Sequence, residues 1–251
     1  MTEPAPNTVP TIDLLEGIAT ARSIRRYLPD PVPEEILAKI LWAGTRAPSG
    51  TNRQPFRFIV LRSSETAREV KSLMGAAFRR GWNHKAGAEH WAKESDGGRS
   101  TRRTRSMEAM RHFVDHFERI PVVVLACFAR YREPDHGEGA SVFPACQNIL
   151  LAARALGYGA CFSGWHRLVE PELRERLAIP EKVVISLTIT IGKPAGRHGP
   201  LRRFPARELV YEDGWGREAV WVVDPPGSRL SGSRMIEAAR RSRAPSHSGG
   251  E

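Results

Sequence analysis

Five short stretches of this chain carry side chains whose types and spacing can do chemistry. Ser49, Thr51, Asn52, Arg53 and Gln54 fall in one run and offer donors and acceptors suited to a planar heteroaromatic ring. The same residues can equally satisfy the backbone of their own loop. Arg22 and Arg25 flank Ser23 at a spacing that makes either a basic helix end or a clamp for an anion. Gly157-Tyr158-Gly159 leads through Cys161 to Ser163-Gly164, a small-residue run that lets a backbone approach a ligand closely. It is not a dinucleotide fingerprint, because it follows a helical pattern and lacks a third glycine. Nor is Ser163 a hydrolase nucleophile elbow, since Cys161 stands where that turn needs glycine. Arg202-Arg203, taken alone, reads as solvated surface. His112 and His116 share a helix face, but Phe113 excludes the HExxH zinc pattern and no third ligand is evident. No metal site and no catalytic Asp, Glu or His is expected.

The elements that must position these groups follow from hydrophobic periodicity. Thr11 can cap a first helix carrying Ile12, Leu15 and Ile18. Ile36, Leu37, Ile40 and Leu41 define a second helix over 34–46, which feeds the turn at Pro48–Gln54. A strand follows near 56–62, then a helical stretch from Ser64. The run from Pro121 to Phe128 is almost wholly apolar, as in a central strand covered on both faces. A helix over about 141–156 ends at Gly157, a natural C-cap. A short helix runs from Pro171 to Leu177, and Val183, Ile185, Leu187, Ile189 and Ile191 alternate as a strand. Helices alternate with four or five strands, so the class is mixed α and β with a two-sided sheet. The polar segment 79–118, with Trp82 and Trp91, reads as a lid-like insertion that could stack on aromatic ligands. Residues 1–10 read as a loose arm and 224–251 as a flexible basic tail.

Several of these segments together resemble the nitroreductase family of flavin enzymes. Ala47-Pro48-Ser49-Gly50-Thr51-Asn52-Arg53-Gln54-Pro55-Phe56-Arg57-Phe58 is similar to its Ala-Pro-Ser…Asn-x-Gln-Pro-Trp-x-Phe signature, with Phe56 in place of the tryptophan. Arg22-Ser23-Ile24-Arg25 resembles the family's N-terminal phosphate motif, with Ala21 where many members carry another arginine. Leu156-Gly157-Tyr158-Gly159, Ile191-Gly192-Lys193-Pro194-Ala195 and Arg202-Arg203 resemble three further family segments, so the resemblance spans roughly 12–212. It implies an α+β nitroreductase-like fold, with a central, mostly antiparallel sheet flanked by helices on both faces. It implies a homodimer with FMN at the subunit interface. Arg22, Ser23, Arg25, Arg202 and Arg203 would meet the phosphate; Ser49, Asn52 and Gln54 the ring or ribityl chain; Ser163 and Gly164 the reactive side of the ring. The implied reaction moves two electrons from NAD(P)H through the flavin to a nitroaromatic or quinone. Relatives that carry out reductive dehalogenation, metabolite dehydrogenation or flavin fragmentation are the alternative.

Composition sets the outer bounds. The chain has 251 residues and a net charge of +10, mostly from arginine, which fits an anionic cofactor or nucleic acid. The basic residues are spread without interleaved aromatics, so a nucleic-acid binder is the less favoured class. Cys127, Cys146 and Cys161 form no CxxC pair and read as buried thiols of a reducing cytoplasm. No apolar run of about 18 residues is present and the first residues lack a signal-peptide pattern, so no membrane association is expected.

Overall fold

In a computed structural model the structure describes residues 12–88, 102–135 and 137–231. The expected arm at 1–10, Trp91 within 89–101, and the chain beyond 231 lie outside the described residues. Six helices are used below: α1 (Leu14–Thr20), α2 (Glu34–Thr45), α3 (Glu65–Ala88), α4 (Arg102–Asp115), α5 (Phe143–Ala155) and α6 (Glu170–Arg176). Four strands, β1 (Phe56–Leu61), β2 (Val122–Ala129), β3 (Gly159–Ser163) and β4 (Val183–Gly192), form one antiparallel sheet in the order β1-β2-β4-β3. The fold is therefore α+β, as the resemblance implies.

β2 is the centre of the molecule, and all but its last residue are buried. Its alternate residues serve two cores. Val122, Val124, Ala126 and Phe128 pack with Ile36, Leu37 and Ile40 of α2 and Ala145, Cys146 and Ile149 of α5. Val123, Leu125 and Cys127 pack with Val70, Met74 and Phe78 of α3, Phe113 and Val114 of α4, and Leu173 of α6. A strand buried on both faces must read as a continuous apolar run, which is why this one did. The alternation in β4 is less simple than its sequence. Ala126 faces Leu187 while Cys127 faces Ile185, so Ser186 is an extra residue on β4. This bulge reverses the phase, sending Ile185 to the α3 core and Ile189 and Ile191 to the α2–α5 core.

Local chemistry sets the helix ends. Asp13 caps α1, accepting from the backbone amides of Leu15 (2.8 Å) and Glu16 (3.3 Å); Thr11 lies outside the described residues. α5 closes in a Schellman motif: Tyr158 N–H donates to Ala153 O (2.8 Å), Gly157 N–H donates to Arg154 O (3.1 Å), and Gly157 takes φ +78°. α2 and α5 meet closely at Gly44, where a Cβ would fall 2.7 Å from Ile149 Cγ1.

The segment expected to act as a lid is partly core. α3 runs unbroken through residue 82, and Trp82 is only 4% exposed, its ring 6.4 Å from that of Trp165. Phe113 and Phe117 are buried in the same cluster. Trp82 is thus not placed to stack on an acceptor, because α3 turns it inward at the same spacing as Met74 and Phe78. The chain divides into two compact units at His198/Gly199, earlier than the boundary near 223 that composition gave. Within the second unit, β5 (Arg202–Arg203) pairs in parallel with β6 (Arg229–Leu230), so two residues of the expected tail form a strand.

Candidate functional site

The loop between α2 and β1 holds an unusual backbone. Thr51, Asn52 and Gln54 have φ of 50°, 53° and 50°, the left-handed region that costs non-glycine residues of order 1–3 kcal/mol each. Local hydrogen bonds hold it there. Gln54 N–H donates to Ser49 Oγ (2.9 Å), Asn52 N–H to Ser49 O (3.0 Å) and Gly50 N–H to Ser141 Oγ (3.3 Å). Ser49 therefore does cap its own loop, the plainer of its two readings, while keeping its hydroxyl proton to give. The side chains of Asn52 and Gln54 are exposed, and Gln54 Nε2 donates to Asn52 Oδ1 at 3.2 Å. The result is a pair of exposed amides on a loop whose left-handed backbone is fixed by its own hydrogen bonds.

The N-terminal motif is laid along the outer edge of β3. Ser23 forms a parallel bridge with Ala160, and Ile24 N–H donates to Ala160 O at 3.1 Å. Gly159 is required there, since a Cβ would come within 2.7 Å of Ile24. Tyr27 anchors the far end: its hydroxyl donates to Ile24 O (2.6 Å) and lies 2.8 Å from Thr190 Oγ1. Burial holds that phenol well above its ordinary pKa, so it stays protonated. The Ile191–Ala195 turn completes the support: Leu28 N–H donates to Lys193 O (2.9 Å) and Ala195 N–H to Arg26 O (3.0 Å). Arg22 and Ser23 are exposed and Arg25 is half-buried, and among the described residues neither arginine has a carboxylate partner.

Arg25 opens onto a cleft of about 310 Å³ that sequence reasoning missed, lined also by Tyr27, His112, His116 and Arg119. The two histidine rings stack at 4.3 Å, and His116 Nδ1 donates to His112 O at 3.0 Å. His112 has its pKa lowered, first by burial and then by the charges of His116 and Arg26. Arg25 and Arg119 bring two guanidinium groups to the cleft, and among the described residues no three His, Cys, Asp or Glu side chains come together. The signal was present in the i, i+4 histidine pair. What the sequence lacked was the packing that brings α4 beside Arg25.

Ser163 and Gly164 sit half-buried at the end of β3, and a Cβ on Gly164 would meet nothing within 4 Å. Behind them His166 is fully buried, its Nε2 donating to Ile185 O at 2.8 Å, and burial lowers its pKa. Arg202 and Arg203 are exposed on β5, in the second unit.

Within the first unit, the structure gathers the predicted residues into two groups rather than one. Ser23, Arg25, Ser163 and Gly164 lie along β3, and Ser49, Asn52 and Gln54 precede β1. β1 and β3 are opposite edges of the sheet, three strand spacings or about 14 Å apart. They are offset along it as well. Phe56 of β1 is level with Phe128, whereas Ala160 of β3, beside Ser23, is level through Ile191 with Val122, and Ser163 is level through Thr188 with Leu125 and Ile59. The α2–α5 layer covers one face between these corners and the α3–α4–α6 layer covers the other.

The fold and these motifs place the chain in a class of flavin-type oxidoreductase folds, and the comparison with known proteins names it. The chain belongs to the nitroreductase family, whose model matches residues 18–193. A Methanothermobacter thermautotrophicus protein with the provisional name NADH dehydrogenase/NAD(P)H nitroreductase is 31% identical over 209 residues, covering 81% of this chain and 89% of that one. A 4-nitrobenzoate reductase from Nocardioides is 27% identical over 226 residues, covering 80% and 89%. A solved structure from Desulfovibrio desulfuricans, provisionally a nitroreductase in complex with FMN, aligns with a TM-score of 0.55 at 28% identity, covering 80% of this chain and 97% of that one.

Proposed function

We propose that this chain is an FMN-dependent oxidoreductase that passes two electrons from NAD(P)H to an electron-poor acceptor, a nitroaromatic or a quinone. The observation that carries the reading is the donor set of the first unit: arginines beside Ser23 that have no carboxylate partner among the described residues, and a strained loop offering amides outward. Such a set suits a phosphate-bearing planar heterocycle. Bound FMN would supply the redox chemistry, in which NAD(P)H, a proton and a nitro group become NAD(P)+, a nitroso group and water.

The residues of the chain bind and orient. Arg25 and Ser23, with Arg22, supply charge-assisted hydrogen bonds to the phosphate. Arg119 lines the cleft that continues from Arg25 and extends the positive field along the ligand, with His112 and His116 on the same wall. Asn52 and Gln54 meet the ring or ribityl chain, where geometry matters more than charge. Ser163 and Gly164 offer backbone at the ring.

The two groups of residues lie at opposite edges of one sheet with packed helices over both faces, which supports a homodimer in which each flavin is held by the β3 group of one protomer and the β1 loop of its partner. Titrating the apo-protein with FMN and with riboflavin, by flavin fluorescence, tests the assignment. FMN is expected to bind more tightly. Equal affinities would mean that the arginines hold no phosphate.

A further inference from the structure

β3 stops short of its partner strand. Its last pair is Ser163 with Thr188, and the chain then leaves the sheet at Gly164 for a short helical turn, Trp165–Leu168. Carried three residues further, the same register would set residue 166 opposite Ile185. The backbone of that residue has left the sheet, yet its side chain reaches back. His166 Nε2 donates to Ile185 O at 2.8 Å, so the imidazole stands where a longer strand would have placed a ladder partner. Ser186, the extra residue of β4, adjoins this carbonyl, and a bulge is where a ladder is disrupted and a buried carbonyl needs another donor.

The ring has one proton to give. His166 is fully buried, and burial is the largest influence lowering its pKa, so the imidazole is neutral and its Nε2–H is committed to Ile185 O. The turn is held from other sides as well. The Trp165 ring lies 5.7 Å from that of Phe78 and 6.4 Å from that of Trp82, both on α3. Val169 N–H donates to His166 O at 2.9 Å, at the start of α6. Gly164, by contrast, faces open space, since an added Cβ would meet nothing within 4 Å. The segment is clamped behind and open in front, as a backbone edge that must meet a ligand in one fixed place needs to be.

We propose that His166 is the positioning residue for the backbone at the flavin ring, fixing Ser163 and Gly164 through its bond to the β4 carbonyl of Ile185. The proposal rests on the flavin reading above, which puts those two residues at the reactive side of the ring. Two-electron reduction adds charge to the ring, and backbone dipoles fixed in advance meet that charge without rearranging. Loosening them weakens reduced FMN more than oxidised FMN.

Two variants isolate the hydrogen bond. His166→Gln keeps an N–H donor on a flexible side chain, whereas His166→Met has similar bulk and no donor. In FMN-loaded His166→Met, reduced FMN is expected to lose about tenfold more affinity than oxidised FMN, read as a fall of about 30 mV in the two-electron potential. The absorption bands of the bound flavin should shift with it. His166→Gln should lie nearer the parent on both counts. An unmoved potential in His166→Met, or equal shifts in the two variants, overturns the proposal, since the donor would then not matter. A second measurement uses the parent alone and decides the matter if His166→Met does not fold. The proton resonance of His166 Nε2–H should shift when FMN binds and again when the bound flavin is reduced with dithionite. A resonance that follows neither step overturns the proposal. Failure of the flavin reading looks different: the parent itself would bind no FMN, and the proposal would fall with that reading.

Discussion

Arg25 and the pair Asn52–Gln54 differ in what they ask of a ligand. Arg25 offers charge on a half-buried fork, whereas the amides offer geometry on a loop already bent to the purpose. Arg25→Ala is therefore expected to weaken FMN about 10- to 100-fold and to narrow its advantage over riboflavin. Asn52→Ala and Gln54→Ala should weaken both ligands alike. The same fluorescence titration reads both effects. His166 lends itself to a different test. It is buried without a second hydrogen-bond partner at Nδ1, and its pKa in the folded chain lies below the ordinary 6.5. The unfolded chain therefore takes up a proton first as pH falls through 6.5, and stability declines from there toward the folded-state value. His166→Gln removes this contribution. Its Tm should start lower at pH 7 but fall less between pH 7 and 5.5 than that of the parent, by scanning calorimetry. A parallel fall would show that His166 is not the titrating group.

The N-terminal segment and β3 act as one element. The arginines reach their positions because Ile24 lies flat on Gly159 and Tyr27 pins the following turn to Thr190. Gly159→Val places side-chain atoms where Ile24 now sits, 2.7 Å from the added Cβ. The contact is at an edge of the sheet, so the segment rather than the core should give way. FMN affinity is expected to fall by about tenfold or more although no ligand-binding side chain has changed, and the far-ultraviolet circular dichroism should remain that of the parent. Gly44 is the contrasting case. A Cβ there meets Ile149 Cγ1 at 2.7 Å in the middle of the α2–α5 core, where neither helix can retreat cheaply. Gly44→Val should cost about 1–3 kcal/mol of stability by denaturant titration, the usual range for overpacking.

At the scale of the whole molecule, the separation of the two half-sites makes a prediction that no single-chain site shares. Arg25→Ala and Asn52→Ala each damage every flavin site in their own homodimers. Mixed in equal amounts and refolded together, half of the dimers pair one chain of each kind. In a shared, isologous arrangement each such dimer carries one site free of both substitutions, so about a quarter of all sites should regain parental affinity. If each site lay within one chain, none would. Sedimentation adds the stoichiometry: a species of twice 27.9 kDa carrying flavin is expected, and a monomer with flavin still bound would contradict the shared site.

The sequence by itself determined the elements and the kinds of ligand group. The apolar run of β2, the periodicity of α2 and α5, the Gly157 cap and the Arg-Ser-x-Arg and Asn-x-Gln motifs are local patterns, and local patterns survive without a partner in space. What tertiary structure decided is everything that depends on which element lies beside which. The alternation of β4 concealed the Ser186 bulge, because an extra residue changes phase only relative to the strand it pairs with. Trp82 looked like a free aromatic until α3 carried it into the core. His112 and His116 looked like a polar helix face until α4 packed beside Arg25. Most consequentially, motifs that read as one site were placed at opposite edges of a four-stranded sheet. Strand order and register come from long-range pairing, for which residue spacing along the chain holds no measure.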